Sequence, residues 1–354
     1  MTLPLLYVGS LRPGGNGRDR VAALEAAGVA VSGFDTFATL QSGFRIERSI
    51  VARWHAGRAV GRLNAALSAR AAQGGYAAVL VDKGTWLWPE TLERLRRGAD
   101  LRLAIHYTPD AQFLENRSRH FFRGLPAYDL AVTTKDFELD HYRRAGAREV
   151  LLILQGHGRR LHPVRDADIP ATLRSDIAFV GHCQPAYAAL LGQVAARLPL
   201  AVWGPGWDRH ARRAGWARTA VRGAGLYGPD YARALSGTRI AIGLLSKRIP
   251  ETSTTRSFEI PACGTMLLAE RTGAHQALFE EGREAEYFDS AEELCDKAAF
   301  YLKNDAARER IAEAGYQRAQ ASGYSAETQF GRIAEWLASR TSWTEIEGTA
   351  HARH

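Results

Sequence analysis

Short runs of apolar residues alternate along the chain with longer segments in which apolar and polar residues mix. Ala77-Ala-Val-Leu-Val81 is typical of the short runs, because a strand covered by helices on both faces is apolar at consecutive positions. The alternation predicts strands that pair in parallel through right-handed helical crossovers. We therefore expect an α/β fold of doubly wound sheets, with ligands beyond the carboxyl ends of the strands.

The pattern predicts strands in the first half at Leu3–Gly9, Val29–Phe34, Ala77–Asp82, Leu101–His106, Leu130–Thr134 and Val150–Ile153. Helices are predicted between them at Arg18–Ala27, Ile50–Gln73, Pro89–Arg97, Phe113–Phe122 and Lys135–Ala145. In the second half, strands are predicted at Ile177–Val180, Leu200–Trp203, Ile240–Leu244 and Met266–Ala269. The helices there are predicted from Pro185 to near Leu198, at Tyr231–Ser236 and Thr255–Ala262, after Ser290 as N-cap to Lys303, and from Ala306 and Ala326 onwards.

A chain of 354 residues exceeds one core of ordinary size and suits two domains. The polar stretch around Pro163 and Pro170 lacks both helical and strand periodicity. We therefore predict one Rossmann-like domain over residues 1–160, a linker over 161–176, a second Rossmann-like domain over 177–340 and a tail over 341–354. A cleft between two such domains is the expected place for a substrate.

The charge balance is basic, with 46 Lys+Arg against 38 Asp+Glu and a formal net charge of +8. The basic residues are scattered and mixed with acids, and no nucleic-acid motif is present. We therefore expect no nucleic-acid partner.

The chain contains three cysteines, Cys183, Cys263 and Cys295, without C-x-x-C spacing. This favours a reducing compartment, and the amino terminus is typical of a first strand instead of a signal peptide. We expect a cytoplasmic protein without a transmembrane segment; peripheral contact with a membrane is left open.

The segment from Glu251 to Gly264 is the most informative one for function. Thr254, Thr255 and Arg256 stand at the predicted start of a helix, where exposed N–H groups and a guanidinium suit a diphosphate. Glu259, one turn further on, is placed to accept both hydroxyls of a ribose. A buried packing helix with polar caps is the alternative interpretation.

The run Thr255-Arg-Ser-Phe-Glu-Ile-Pro-Ala-Cys-Gly-Thr265 is followed by Phe279–Gly282, Tyr287–Asp289, Glu292–Leu294 and Tyr301–Leu302. Together these residues resemble the C-terminal half of GT-B glycosyltransferases, above all the branch of the spore-maturation protein CgeB and more loosely glycosyltransferase family 4. The resemblance implies two facing Rossmann-like domains, a nucleotide-sugar donor on the C-terminal domain, an acceptor on the N-terminal one, and no obligatory metal. It implies that Arg256 meets the donor phosphates, Glu259 the ribose and Glu251 the donor sugar.

A departing nucleotide diphosphate must be stabilised by cations if no metal takes part. Lys247 and Arg248 follow the predicted strand Ile240–Leu244 and are placed for that role. A solvated pair of loop residues is the alternative interpretation.

The first loop, Gly9 to Gly17, is rich in glycine, which lets a backbone approach a ligand closely. Gly9, Ser10, Gly14 and Gly15 are therefore candidates to line the cleft opposite the donor. The loop is not G-x-G-x-x-G, because Arg20 stands at the third glycine position, although Asp35 ends the second strand as in a dinucleotide site. A plain turn is the alternative.

The fourth predicted strand ends in Ile105-His-Tyr-Thr-Pro-Asp110. Asp110 or His106 is a candidate base for the proton of an acceptor hydroxyl, and Lys83 is expected to line the same side. The alternatives are a turn at Asp110 and a buried structural histidine at 106.

These features together predict a metal-independent glycosyltransferase of the hexosyltransferase type, which transfers a sugar from a nucleotide-diphosphate donor to a hydroxyl acceptor of unknown identity. No cofactor is expected, since the nucleotide sugar is the substrate. An NAD-dependent oxidoreductase on the same Rossmann-like domains and a catalytically silent binding protein are the alternatives.

Overall fold

The computed structural model of the chain describes residues 3–41, 45–98, 101–214 and 220–351. Its backbone contacts divide it into two compact units, one formed by Met1–Leu154 with Ala326–His354 and the other by Gln155–Ser325. Each unit contains one six-stranded parallel sheet with helices.

The strands of the first unit are β1 (Pro4–Gly9), β2 (Ala30–Asp35), β3 (Ala78–Asp82), β4 (Leu103–Thr108), β5 (Leu130–Thr133) and β6 (Val150–Leu152). They lie in the order β2-β1-β3-β4-β5-β6, and every pairing is parallel. All five residues of β3 are buried, as expected of a strand covered on both faces. The predicted strands are thus confirmed, with bounds that differ by one or two residues.

Its helices are α1 (Asn16–Ala26), α2 (Thr36–Gln41), α3 (Arg45–Trp54), α4 (Arg58–Ala72), α5 (Pro89–Gly98), α6 (Arg119–Gly124) and α7 (Leu139–Arg144). The predicted helix Ile50–Gln73 is wrong as one element, because His55 and Gly57 take positive φ angles of 50° and 104° and break it. The helix predicted at Phe113–Phe122 is also wrong, since the helix there comprises only Arg119–Gly124.

The strands of the second unit are β7 (Ser175–Val180), β8 (Leu200–Trp203), β9 (Val221–Gly223), β10 (Thr238–Gly243), β11 (Met266–Glu270) and β12 (Glu286–Phe288). They lie in the order β12-β11-β10-β7-β8-β9. The helices are α8 (Pro185–Ala195), α9 (Trp207–Ala214), α10 (Pro229–Ser236), α11 (Arg256–Ala262), α12 (Gly273–Leu278), α13 (Ala291–Lys303), α14 (Asp305–Ala321) and α15 (Ala326–His351), of which α15 belongs to the first unit. The predicted N-cap of α13 is confirmed, because the Ser290 hydroxyl accepts from the N–H of Glu293 at 3.1 Å.

Helix α15 differs from the predicted domain limits, which assigned residues 177–340 to the second domain and 341–354 to a tail. Its residues Phe330, Ile333 and Leu337 are buried in the core of the first unit together with β1 and β4. The indole Nε1 of Trp336 also donates to Glu149 at 2.9 Å. The apolar face of this helix therefore completes the first core, and the helix continues to His351.

The predicted linker, 161–176, lies inside the second unit. Leu161 and Ile169 are buried there, and β7 already begins at Ser175. Pro163 and Pro170 interrupt regular structure here, but the segment is not a free linker, because the side chains of Leu161 and Ile169 are packed into the unit.

Each sheet has one point where the chain reverses the direction in which it adds strands. In the first unit this point lies between the neighbouring strands β1 and β3, and in the second between β7 and β10. Ligands of doubly wound sheets bind at such a point, outside the carboxyl ends of the strands. The loops after β1, β3, β7 and β10 are therefore the first places to look for a site.

Within the described ranges, none of the helices has both the length and the apolar character needed to cross a bilayer.

Candidate functional site

The guanidinium of Arg256 lies at the switch point of the second sheet. Its Nη2 donates to the carbonyl of Leu244, just beyond β10, at 2.9 Å. Its Cζ is 5.1 Å from the ring centroid of Phe179 on β7, and a Cβ built on Gly181 would lie 3.1 Å from Nη1. Arg256 thus bridges the ends of the two strands that flank the switch point, the position at which this kind of sheet binds ligands.

The Nε of Arg256 is buried and has no hydrogen-bond partner among the described residues. A guanidinium with an unused donor is suited to a planar, charge-assisted contact with phosphate. Glycine at 181 is needed beside it, since a side chain would also approach the ring of Phe179 to 2.9 Å. The sequence did not single out Gly181, and a glycine directly after a strand was the only available signal.

The first turn of α11 begins after Thr255, which is partly exposed, as is Arg256. The carbonyls of Thr254 and Thr255 accept from Ser257, Phe258 and Glu259, but the described residues offer no acceptor to the N–H groups of Thr255 and Arg256. Thr254 is buried, and its own N–H is bonded to the Ser257 hydroxyl at 3.1 Å. The predicted phosphate-facing turn is therefore accessible at Thr255 and Arg256, while Thr254 supports it from behind.

Glu259 is only 6% exposed and lies one turn into α11. Its Oε2 accepts from the hydroxyl of Tyr231, on α10, at 2.7 Å. Burial, followed by the charge of Glu259, raises the pKa of Tyr231 well above its ordinary value, so the tyrosine stays a proton donor to the carboxylate. Sequence reasoning did not assign Tyr231 to the site, because the tyrosine comes from a separate element with no motif of its own.

Lys247 and Glu251 lie in the same loop but are engaged with protein groups. The ammonium of Lys247 forms an ion pair with Glu270, at the end of β11. The Oε2 of Glu251 accepts from the N–H of Ser246 at 3.0 Å. Both residues thus help to hold the loop that leads from β10 to α11, and their contact with a donor stays a prediction.

Lys83 and Asp110 form an ion pair at the carboxyl edge of the first sheet, with 2.5 Å between Nζ and Oδ2. Both side chains remain partly exposed. Lys83 has a φ of 73°, unusual for a residue with a Cβ, and its N–H donates to the carbonyl of Tyr107 at 2.7 Å. Such strain beside an accessible ion pair is typical of a functional position.

His106 is fully buried and does not reach the sheet edge. It points into an aromatic cluster, with its ring centroid 4.6 Å from that of Phe121 and 5.5 Å from that of Tyr128. Burial lowers the pKa of His106 to about 3, so the ring is neutral. The alternative interpretation of a buried structural histidine fits this placement, and a role as base for an external hydroxyl does not.

Acid should destabilise the protein through His106. Its pKa is about 3 in the folded state and near 6.5 in an unfolded chain, so below pH 6.5 the unfolded state takes up a proton that the folded state refuses. We expect the free energy of unfolding to fall by roughly 1.4 kcal/mol per pH unit from pH 6.5 down towards 3 through this group. In His106→Phe this contribution should be absent, measured by urea unfolding at pH 4.5, 5.5 and 7.5. The exposed His162→Phe is the control; equal pH slopes in both variants would contradict the assignment.

The glycines of the first loop are used for close packing. A Cβ on Gly9 would lie 2.7 Å from the ring of Tyr7, and one on Gly17 only 2.0 Å from the carbonyl oxygen of Ser10. Gly14 has a φ of 71°, and Gly15 donates to the carbonyl of Arg12 at 3.1 Å. These contacts agree with the alternative interpretation of a tight turn, and contact with a ligand stays a prediction.

The dinucleotide features of this loop are engaged with the protein itself. Asp35 Oδ1 accepts from the N–H groups of Leu11 and Phe37, at 3.0 and 2.9 Å. Arg20 forms an ion pair with Asp82, the last residue of β3, with 2.5 Å between Nη1 and Oδ2. In a dinucleotide site, the acid at position 35 would bind a ribose and position 20 would be a glycine. Here Asp35 and Arg20 both contact other protein groups, which weighs against a dinucleotide site.

No group of three or more His, Cys, Asp or Glu side chains within the described parts of the chain is arranged to hold a metal ion.

Two doubly wound, Rossmann-like α/β units define the GT-B fold. Solved structures of that class match nearly the whole chain. HepE of Anabaena in complex with UDP-glucose is 16% identical, with a TM-score of 0.66 over 95% of this chain and 100% of that chain. Sucrose-phosphate synthase of Thermosynechococcus elongatus is 16% identical, with a TM-score of 0.67 over 96% and 100%. α,α-Trehalose 6-phosphate synthase of Burkholderia multivorans is 13% identical, with a TM-score of 0.62 over 98% and 99%.

At the level of sequence, residues 184–336 match the model of a family described as glycosyl transferase-like. The match includes α11 with Arg256 and Glu259. No curated protein matches the chain. The predicted GT-B fold is thus confirmed, and the resemblance of the second half to glycosyltransferases is confirmed at the level of this family.

Proposed function

We propose that the protein transfers a sugar from a nucleotide-diphosphate donor to a hydroxyl acceptor. The observation that carries the proposal is Arg256, whose guanidinium has an unused donor at the switch point of the second sheet, one turn before the buried carboxylate of Glu259. Two similar structures support it, since HepE was solved in complex with UDP-glucose and the other protein is a sucrose-phosphate synthase.

In this proposal the α- and β-phosphates lie against Arg256 and the N–H groups of Thr255 and Arg256. Departure of the nucleoside diphosphate leaves a cationic, oxocarbenium-like sugar, so the rate depends on stabilising the negative charge of the leaving group. A guanidinium and unpaired N–H groups supply that stabilisation without a metal. We therefore propose a metal-independent reaction, which should persist in EDTA.

Glu259 is proposed to accept hydroxyls of the donor ribose. Its carboxylate already accepts from Tyr231, which fixes its orientation before a ligand arrives. Glu251 is proposed to approach the donor sugar and Lys247 the phosphates, each after exchanging its present partner.

Asp110 is proposed as the base for the acceptor hydroxyl. It is a partly exposed carboxylate at the carboxyl edge of the first sheet, and the ammonium of Lys83 fixes its position. The loop residues Gly9, Ser10, Gly14 and Gly15 are proposed to line the acceptor side.

We further propose a hexosyltransferase of the CgeB-like branch, on the strength of the run from Thr255 to Thr265. A cytoplasmic location is also proposed, because the three cysteines are free thiols.

A thermal-shift panel with UDP, GDP, ADP and NAD tests the donor assignment. A nucleoside diphosphate at 100 times its Kd should stabilise the fold by about 2.7 kcal/mol through mass action. The nucleotide sugar of the nucleotide that stabilises the fold should then be hydrolysed slowly to the nucleoside diphosphate and the free sugar, because water replaces the acceptor. Stabilisation by NAD alone would contradict the proposal, and binding without any release of diphosphate would favour a silent binding protein.

A further inference from the structure

Helix α12 holds the segment that leads into α11. The hydroxyl of Thr272 donates to the carbonyl of Thr252 at 2.8 Å and accepts from the N–H of His275 at 3.0 Å. Residue 252 is three positions before the turn that carries Thr255 and Arg256. The first anchor of that turn therefore comes from a helix that touches no proposed ligand.

His275 supplies the second anchor through a chain of three hydrogen bonds. Its Nδ1 lies 2.6 Å from the carbonyl oxygen of Glu270, and its Nε2 lies 2.8 Å from the hydroxyl of Ser257. The same hydroxyl is 3.1 Å from the N–H of Thr254.

The partners determine every proton in this chain. A carbonyl only accepts, so Nδ1 carries the hydrogen and Nε2 has the lone pair. Ser257 must then donate to Nε2, and its oxygen is left to accept from Thr254. The chain thus runs in one direction and has a single arrangement.

The environment keeps that arrangement. His275 and Ser257 are both buried, and the ring of Tyr287 stacks on the imidazole at 5.7 Å with an interplanar angle of 1°. Burial lowers the pKa of His275, so the ring stays neutral and Nε2 remains an acceptor.

We propose that His275 is a positioning residue for the phosphate site: it orients the hydroxyl of Ser257, which fixes the N–H of Thr254 and so aims the N–H groups of Thr255 and Arg256 outward. The inference rests on the proposed function of that turn. It requires the bond to Ser257, and not merely a side chain that fills the space under Tyr287.

Two substitutions separate the two bonds of the imidazole. His275→Asn places an amide nitrogen where Nδ1 was, which keeps the bond to Glu270 and leaves Ser257 without an acceptor. His275→Gln places an amide oxygen near the position of Nε2, which keeps the bond to Ser257. Both variants lose the stacked ring, so their melting temperatures should fall by similar amounts.

Binding of UDP, GDP and ADP to the full chain is measured by calorimetry for each variant. For the nucleotides that the wild type binds, we expect Kd to rise about tenfold in His275→Asn, the value of one hydrogen bond, and to stay within about threefold in His275→Gln. Ser257→Ala should reproduce the asparagine variant, and adding His275→Asn to it should weaken binding no further.

Equal losses in the asparagine and glutamine variants, with binding intact in the wild type, would overturn this inference alone. If the wild-type chain bound none of the three nucleotides, the proposed function would fail and this role would fail with it.

Discussion

Replacing Arg256 by alanine should weaken the binding of a nucleoside diphosphate by about 10- to 100-fold, the value of one or two charge-assisted hydrogen bonds. The guanidinium has an unused Nε and lies at the switch point of the second sheet, between the ends of β7 and β10. Arg256→Lys keeps the charge but loses the planar guanidinium, so we expect its Kd for the nucleoside diphosphate to lie between those of the wild type and the alanine variant. Calorimetry with UDP, GDP and ADP measures the effect.

The matched control is Arg283→Ala, which removes an exposed guanidinium from the same unit and should leave binding unchanged. Uridine, guanosine and adenosine serve as the second control. Because they lack phosphates, their weaker binding should be the same in wild type and Arg256→Ala. A variant that bound the nucleoside diphosphates as the wild type does would show that Arg256 is not a phosphate ligand.

Most of the strands were predictable because each carries its signal within a few residues, but the three-residue strands β9 and β12 were not predicted. Ala77-Ala-Val-Leu-Val81 is apolar at every position, and only a strand buried on both faces explains so short a run. Helices were predicted less well where backbone conformation decides. The break between α3 and α4 depends on His55 and Gly57 at positive φ, and neither a histidine nor an isolated glycine in a helical pattern is a certain sign of a break.

The domain limits could not be predicted from local pattern. Helix α15 has the apolar stripe that any surface helix shows, and the stripe does not say which core it covers. Phe330 packs against Tyr107, which is distant in sequence, with 5.0 Å between ring centroids. Only long-range contacts of this kind, together with the hydrogen bond from Trp336 to Glu149, assign the helix to the first unit.

The candidate site was predictable to the extent that it lies in one segment. Arg256 and Glu259 are close in sequence, and the start of a helix suggests a ligand for the arginine. Tyr231 was missed because it reaches Glu259 from another helix. The partner of Lys247 was missed for the same reason, since Glu270 is at the end of a different strand.

His106 and Asp110 show what the sequence leaves open. Both are candidates because they lie near the end of the same predicted strand. Side chains within a strand point to one face of the sheet or the other, whereas residues after its last position can reach solvent, so the exact end of the strand decides their exposure. His106 is inside the strand and buried in the aromatic cluster, whereas Asp110 is beyond the strand and partly exposed. A shift of a few positions therefore separates a structural side chain from a candidate base.

Replacing Asp110 by asparagine should lower kcat by about 100- to 10,000-fold, the usual contribution of a general base, and leave the Kd for the nucleoside diphosphate unchanged. Asparagine keeps the shape but cannot take a proton. Loss of the ion pair with the partly exposed Lys83 should cost less than about 1 kcal/mol of stability, so the variant should fold. Asp140→Asn, which removes an exposed carboxylate of the same unit, is the matched control. The value of kcat is measured as the release of nucleoside diphosphate from the nucleotide sugar that the thermal-shift panel identifies, with water as the acceptor. Full activity in Asp110→Asn, or an equal loss in Asp140→Asn, would show that the base lies elsewhere.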